Sequence, residues 1–259
     1  MDETMSDALQ MAIETTASMS DSQPEQMSKH EKQAMLTAKM PQEKIDIVNK
    51  ARKEFISIWN EKVVTARGEQ AENLLKYLDG KHCDFFIAPA SARSHGAHYG
   101  GLVMHSLNVY HCLQDVLTAG IYDSIGLHPS EDTVAVIALL HDICKVNFYS
   151  VESRNRKRKD GTWEAYPFIS YNDSFPYGHG EKSVYMISRF MELSPEETMA
   201  IRHHMGFSDC VDDNERRLYS QAAQKYPLCV AMSEADTRAA LLLEGFGTNQ
   251  YKKEHANQA

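Results

Sequence analysis

Hydrophobic residues recur at helical spacing along most of the chain after residue 42. The first set includes Val48, Phe55 and Trp59, which lie seven and four residues apart. Spacings of this kind place side chains on one face of an α-helix. The same pattern, with helix-start and helix-stop residues at its limits, predicts further helices over residues 70–78, 100–120, 130–145, 180–193, 194–204 and 227–243.

A different pattern occupies residues 150–178. A run of basic residues that includes Arg154 precedes Asp160 and Gly161, and aromatic residues that include Trp163 follow them. An Asp-Gly pair between two such arms predicts the turn of a β-hairpin. The expected fold class is therefore all-α, a helical bundle with a small inserted β-hairpin.

The two ends of the chain lack this periodicity. Residues 1–41 are rich in Met, Ser, Gln, Thr and Glu, and Pro41 closes the stretch. Polar termini of this composition are typically solvated, so we expect a flexible N-terminal tail; a partner-binding helix within it is the alternative. The helical bundle is expected over residues 42–250, followed by a flexible C-terminus at 251–259.

Composition limits the class of protein. With 259 residues, 42% of them hydrophobic and 24% charged, the chain can bury a substantial core. A net charge of -9 argues against a protein that coats nucleic acid, although a local basic patch is compatible with it. The five cysteines include no C-x-x-C pair, which favours reduced thiols. No stretch approaches the roughly 20 apolar residues of a membrane span, so a cytoplasmic protein with no membrane partner is expected.

Several polar residues interrupt the apolar faces of the predicted helices. Asp142 and Asp236 both lie in apolar helical surroundings, where an uncompensated carboxylate is costly. Imidazoles and carboxylates brought together from successive helices are a common way for helical bundles to bind divalent metals. A lone histidine would be weak evidence, but here four lie at helix interiors or ends: His105, His141, His179 and His204.

The order of these residues resembles the HD-domain superfamily, whose fold is an α-helical bundle around a metal site. The resemblance covers roughly residues 80–240. The segment 100–107 is similar to the first ligand helix of that family, and it and the loop 88–95 resemble the HD domains of bacterial 3′-to-5′ exoribonucleases most. One departure is Cys144, which stands where many members have glycine.

The resemblance implies a metal-dependent phosphohydrolase with two divalent ions, drawn from Mn, Fe, Mg, Ni or Co. The adjacent His203 and His204 leave one ligand ambiguous; the family pattern favours His204, which leaves His203 to face the substrate. The resemblance implies that one ion is held by His105, His141, Asp142 and Asp236, and the second by Asp142, His179 and His204.

Other residues are candidates for catalysis and substrate binding. Lys145, one turn beyond His141, is placed to neutralise a phosphate oxygen, so Asp142 and Lys145 are the expected catalytic pair. The expected substrate is a nucleotide or another phosphoester, and a single-stranded nucleic-acid end is the further candidate partner. The candidate substrate-binding residues are Ser91, Arg93, His95, Arg154 and His203.

Two other functions remain open from the sequence. Some HD-fold proteins with a similar ligand pattern use a di-iron pair to activate oxygen and cleave C–C or C–P bonds. A non-catalytic nucleotide-binding module is the third hypothesis. The P-loop, zinc-protease and dinucleotide-binding motifs are absent from the sequence. The sequence leaves the oligomeric state open.

Overall fold

The structure, a computed structural model, describes residues 29–37, 40–171 and 173–245. These residues form helices and one antiparallel pair of strands, which confirms the expected all-α fold with a small inserted hairpin. The helices are α1 (Lys29–Thr37), α2 (Gln42–Ile58), α3 (Glu69–Leu78), α4 (Gly101–Leu117), α5 (Gly120–Ser124), α6 (Glu131–Leu140), α7 (His179–Ser188), α8 (Pro195–Arg202), α9 (Asp213–Lys225) and α10 (Leu228–Arg238). The strands are β1 (Tyr149–Lys157) and β2 (Trp163–Tyr171).

Helices α4 and α6 form the centre of the bundle. Every residue of α6 from 134 to 140 is buried, as expected for a helix that is apolar on all sides. Helix α4 packs against α2, α6 and α10. Its predicted apolar positions, such as Leu102, Val109 and Leu113, are fully buried. The polar side chains that α4 and α6 carry therefore lie in the core.

Two helices continue through π-helical segments. Helix α2 runs on through Trp59–Val64, and α10 runs on through Ala239–Leu243. The wider turn shifts the period of the side chains that follow it. Residues beyond the second segment, including Glu244, therefore do not follow the face that the sequence period predicts.

The start of α8 follows the sequence signal. The Ser194 hydroxyl accepts a hydrogen bond from the Glu197 amide, and the Glu197 carboxylate accepts one from the Ser194 amide. This capping box satisfies two amides that a helix start leaves unpaired, and Pro195 occupies the first helical position. Glu197 also accepts a hydrogen bond from Thr133 of α6 at 2.8 Å, which joins α8 to the central helix.

The N-terminal segment differs in part from the expected flexible tail. Residues 29–37 form α1, which lies against β1. Lys32 of α1 is buried, and its ammonium donates to Asp84 at 2.8 Å. The buried ion pair explains why this part of the segment is ordered against the bundle. The expected flexible residues 1–28 and 251–259 lie outside the described residues.

Helix α9 was not predicted from the sequence. It is rich in charged and amide side chains, and it buries only Tyr219 and Ala222. So short an apolar face gives a weak periodic signal. The described cysteines are free thiols, as expected. Among the described helices, none is sufficiently long and apolar to cross a membrane.

Candidate metal centre

His105 lies on the buried face of α4, in the middle of the bundle. Its Nε2 atom is 3.1 Å from Asp236 Oδ1 of α10 and 3.2 Å from His141 Nε2. Its Nδ1 atom lies 3.2 Å from the carboxylate of Glu244. Both ring nitrogens of His105 therefore have contacts: Nε2 with Asp236 and His141, and Nδ1 with Glu244.

The helix that was expected over 130–145 ends at Leu140. The chain then turns at Asp142, whose backbone angles are φ -103° and ψ 16°, and a short 3₁₀ turn follows over Ile143–Lys145. This break brings His141 Nε2 to 3.4 Å from Asp142 Oδ2, although the two residues are adjacent. Both side chains can therefore contribute to one site, which a continuous helix would prevent.

His179 and His204 approach Asp142 from α7 and from the end of α8. His179 Nε2 lies 2.8 Å from Asp142 Oδ1, and His204 Nε2 lies 3.6 Å from the same oxygen. Gly180 makes this approach possible, since a Cβ there would lie 2.0 Å from the Arg202 carbonyl. Close packing of α7 on α8 thus brings the two imidazoles to a centroid distance of 5.0 Å.

Hydrogen bonds fix which nitrogen of each buried imidazole faces the cluster. His141 Nδ1 donates to the Ala138 carbonyl at 2.8 Å, and His204 Nδ1 donates to the Ile201 carbonyl at 2.7 Å. With Nδ1 occupied by a carbonyl, each ring directs Nε2 inward, the arrangement that metal-ligating histidines adopt. His204 Nε2 is buried and finds no hydrogen-bond partner among the described residues. An orphaned nitrogen at this position fits a metal ligand.

The carboxylates of the cluster are held in their charged form. Burial alone would raise the pKa of Asp142, but the charge of Lys145 and the hydrogen bond with His179 keep it well below its ordinary value. Burial would likewise raise the pKa of Asp236, yet its hydrogen bond with His105 lowers it. Carboxylate oxygens and imidazole nitrogens together form a donor set suited to Zn, Mn, Fe, Co or Ni.

Two of the imidazoles are protonated on both ring nitrogens in the protein without metal. Burial would lower the pKa of His105, but hydrogen bonds with Asp236 and Glu244 raise it to about 9. For His179, the neighbouring Cys144 and Asp142 outweigh burial and raise the pKa to about 11. Both rings touch carboxylates at the positions where a divalent cation would replace the proton.

Cys144, the departure from the family pattern, contacts one of these rings. Its sulfur lies 3.4 Å from His179 Nδ1 and 4.0 Å from His179 Nε2. The Cys144 amide donates to Ser183 Oγ at 3.3 Å, which ties the turn to α7. The sulfur therefore packs against the His179 ring beside Asp142.

A cavity of about 540 Å³ opens onto the cluster. Its lining includes Asp142, Lys145, His179 and Asp236, together with His95. The Lys145 ammonium lies 2.5 Å from Asp142 Oδ2. Burial would lower the pKa of Lys145, but the negative charge of Asp142 raises it. A permanently charged ammonium beside the cluster is suited to bind an anionic group.

The His95 loop reaches the cavity because glycines allow close approach. A Cβ at Gly101 would lie 1.9 Å from the Gly96 carbonyl, so the loop can pack directly on the start of α4. The His95 ring centroid is then 5.0 Å from that of His105. Burial lowers the pKa of His95, and the charges of His105 and Lys145 lower it further. His95 is accordingly neutral at pH 7 and able to donate or accept a hydrogen bond.

Two of the predicted substrate contacts lie elsewhere. The Ser91 hydroxyl donates to the His95 carbonyl at 2.8 Å, so it shapes the loop. Arg93 lines a separate cavity of about 500 Å³, to which Glu244 also contributes. Among the described residues, neither Ser91 nor Arg93 lines the cavity of the cluster. Their role in substrate binding stays a prediction.

Arg154 and His203 also lie outside the cluster. Arg154 is on the exposed arm of β1, where its guanidinium packs 3.5 Å from the centroid of Phe168. His203 lines a neighbouring cavity of about 230 Å³, and its Nε2 accepts a hydrogen bond from Arg202 at 2.6 Å. The structure thus brings His204, rather than His203, against Asp142.

Glu244 was missed in the sequence. It accepts hydrogen bonds from His105 and, at 2.7 Å, from Asn108. A carboxylate that holds the outer nitrogen of a ligand histidine commonly fixes its orientation and raises its basicity. Helical spacing could not indicate it, because the π-helical segment Ala239–Leu243 lies between Asp236 and Glu244.

Comparison with known proteins agrees with this arrangement. Overlapping groups of His, Asp, Glu and Cys side chains in the cluster could hold metal ions. No curated protein and no solved structure gives a significant match to the chain. A model of the HD domain matches residues 103–241, a span that holds all six candidate metal ligands. Because that match covers more than half of the 259 residues, the chain belongs to the HD domain family, a superfamily of metal-dependent phosphohydrolases.

Proposed function

We propose that this chain hydrolyses a phosphoester of a nucleotide or of a nucleic-acid end with two divalent metal ions bound at the cluster. The observation that carries the proposal is the convergence of four imidazoles and two charged carboxylates on one buried point. The clearest part of this observation is the buried Nε2 atom of His204, which has no hydrogen-bond partner among the described residues. A bound metal ion would give this nitrogen the partner that it lacks.

The donor atoms divide into two sets around Asp142. His105, His141 and Asp236 lie within 4.8 Å of one another on one side. His204 and His179 approach Asp142 on the other, where both are nearest its Oδ1 atom. His105, His141 and Asp236 would hold one ion together with Asp142. His179 and His204 would hold the other, and Asp142 would be the ligand that the two ions share.

Two ions bound in this way would lower the pKa of a coordinated water and stabilise negative charge on a phosphoryl group. The protein supplies the groups that position the substrate. The Lys145 ammonium is held at the cavity wall by Asp142, where it can donate to a phosphate oxygen. The neutral His95 ring faces the same cavity and can hydrogen-bond a second oxygen of the substrate.

Two considerations support a nucleotide or nucleic-acid substrate. The sequence around the first ligand helix resembles the HD domains of bacterial 3′-to-5′ exoribonucleases, which act on a nucleic-acid end. The cavity of about 540 Å³ is within the range typical of small-molecule sites, about 300 to 1,000 Å³, so it can hold a phosphorylated small molecule or one terminal nucleotide.

An assay of phosphoester cleavage across metals, with the products separated by chromatography, tests the proposal. Protein purified without chelator would be supplied in turn with Mn²⁺, Fe²⁺, Mg²⁺, Ni²⁺ and Co²⁺ and offered nucleotides, cyclic dinucleotides and short oligonucleotides. We expect phosphoester cleavage with at least one metal. Asp142→Asn should lower kcat by about 100-fold or more, because it weakens both metal sites. The matched control is His128→Gln, which changes an exposed histidine paired with Asp123.

The alternatives give different results in the same experiment. Oxygen consumption by the iron-loaded protein, without phosphoester cleavage under any metal, would replace the proposal with the di-iron oxygenase. Binding of a nucleotide with neither reaction would replace it with the non-catalytic module. Equal loss of activity in His128→Gln and Asp142→Asn would contradict the assignment of Asp142.

A further inference from the structure

A second cavity of about 360 Å³ lies beside the metal centre. Lys145 and His179 line both this cavity and the larger one, so the two are contiguous. The rest of its wall comes from the start of β1 and the loop before α7, including Phe148, Tyr149 and Tyr177. A group attached to a phosphate at Lys145 and His179 can therefore extend directly into this aromatic cleft.

The aromatic rings of the cleft are held in place by other rings. Phe148 stacks on Tyr171, with centroids 5.9 Å apart and planes inclined by only 10°. Tyr177 packs against Phe175 at a centroid distance of 5.5 Å. Half of the Tyr177 surface is nevertheless exposed, which leaves ring surface open to a ligand. Ordered aromatic faces of this kind bind flat ring systems by stacking.

The cleft also contains an ion pair between a buried lysine and an exposed aspartate. Lys182 is only 8% exposed, and its ammonium donates to Asp173 Oδ1 at 2.6 Å. The same ammonium lies 5.3 Å from the centroid of Phe148. The pair puts a hydrogen-bond donor and an acceptor in the wall next to the aromatic faces. An aliphatic ligand would leave these groups unused, whereas a flat ring with hydrogen-bonding edges would use them.

We propose that this cleft binds the base of a nucleotide whose phosphate lies at the metal centre. This inference rests on the proposed function and names its substrate class, a mononucleotide or terminal nucleotide. The volume of about 360 Å³ is near the lower end of the range for small-molecule sites, about 300 to 1,000 Å³, which favours one base over several. Phe148 and Tyr177 stack on the base, and Lys182 with Asp173 contacts its edge.

The hairpin arms supply a control residue for the cleft. Trp163, at the start of β2, is 69% exposed and pairs with Lys157 in the strand register, far along the hairpin from Tyr149. It is an aromatic residue outside the cleft, so it provides a matched control. Tyr171, although equally exposed, is unsuitable as a control because it stacks on Phe148.

A comparison of substrates with and without a base tests the inference. Phosphate release from the four nucleoside 5′-monophosphates and from ribose 5-phosphate would be measured with the Mn²⁺-supplied full chain and with Tyr177→Ala, Phe148→Ala and Trp163→Ala. We expect at least one nucleotide to exceed ribose 5-phosphate in kcat/KM by about tenfold or more. Tyr177→Ala and Phe148→Ala should lower kcat/KM for that nucleotide much more than for ribose 5-phosphate. Trp163→Ala should leave both values unchanged.

Equal turnover of nucleotides and ribose 5-phosphate would overturn the inference, as would an equal loss on both substrates in Tyr177→Ala. If no compound releases phosphate, binding of the same nucleotides, measured by calorimetry, tests the cleft separately. Binding that weakens by about tenfold in Tyr177→Ala, but not in Trp163→Ala, would support the cleft even though monophosphates are not hydrolysed. Absence of nucleotide binding would refute the cleft as well.

Discussion

Replacement of His204 by leucine should separate the stability of the bundle from its response to metal. In the protein without metal, the buried Nε2 of His204 has no hydrogen-bond partner among the described residues, a condition that costs about 1 to 3 kcal/mol. Leucine removes this cost. It also removes the hydrogen bond from Nδ1 to the Ile201 carbonyl, which contributes about 1 kcal/mol. We therefore expect the chelated His204→Leu protein to unfold with a free energy within about 1 kcal/mol of the parent.

The response to metal should change much more. A metal at 100 times its Kd adds about 2.7 kcal/mol to the stability of a one-site protein. For a chain of this size, that corresponds to a rise in Tm of roughly 5 to 10 °C. His204→Leu should lose the part of the Tm rise that the second ion causes, and the number of ions bound per chain should fall by one. The assay is thermal unfolding in chelator and in Mn²⁺, with metal counted by elemental analysis.

His203→Leu is the matched control, because it changes the adjacent histidine that lies outside the cluster. It removes the contact with Arg202, and we expect the metal response and the metal count of the parent to remain. The reasoning is refuted if His204→Leu keeps the full rise in Tm, or if His203→Leu loses it. A chelated His204→Leu protein destabilised by more than about 3 kcal/mol would also contradict it.

Three other predictions concern the groups around the cluster. Glu244→Ala should weaken metal binding by about 10- to 100-fold in a chelator competition, because His105 loses the carboxylate that holds it; the exposed Glu131→Ala should not. Lys145→Met should lower kcat by about 100-fold at an unchanged metal count, since it removes a donor to the phosphate; a loss of metal instead would make Lys145 structural. Metal affinity at equilibrium should rise with pH from 6 to beyond 9, because the pKa values of His105 and His179 are raised to about 9 and about 11 and protons on these rings compete with metal below those values. An affinity that is the same at pH 6 and pH 8 would contradict this competition.

The central helices and their polar residues could be predicted from the sequence because local signals agree there. The run 134–140 is apolar throughout, and α8 begins with a Ser-Pro-Glu-Glu segment that forms its capping box. The histidines and aspartates stood out because charge is costly in such surroundings. The structure shows that they approach one another within hydrogen-bonding or ion-pair distance, which a sequence pattern alone does not establish.

The remaining features depend on contacts between distant parts of the chain. Helix α1 is held by the ion pair of Lys32 with Asp84, 52 residues away, and nothing near Lys32 indicates this partner. Glu244 follows a π-helical segment, which changes the face that the residue occupies. The aromatic cleft joins Phe148, Tyr177 and Lys182, residues from three elements whose proximity arises from tertiary packing. Local periodicity contains no information on these pairings.

Anomalous X-ray scattering from crystals of the Mn²⁺-loaded protein tests the central claim most directly, because it locates metal without relying on activity. We expect two manganese peaks in the buried cluster, with the carboxylate of Asp142 between them. His105, His141 and Asp236 should contact one peak, and His179 and His204 the other. Absence of manganese from the cluster, with any peaks confined to surface groups such as His111 and Glu54, would contradict the account.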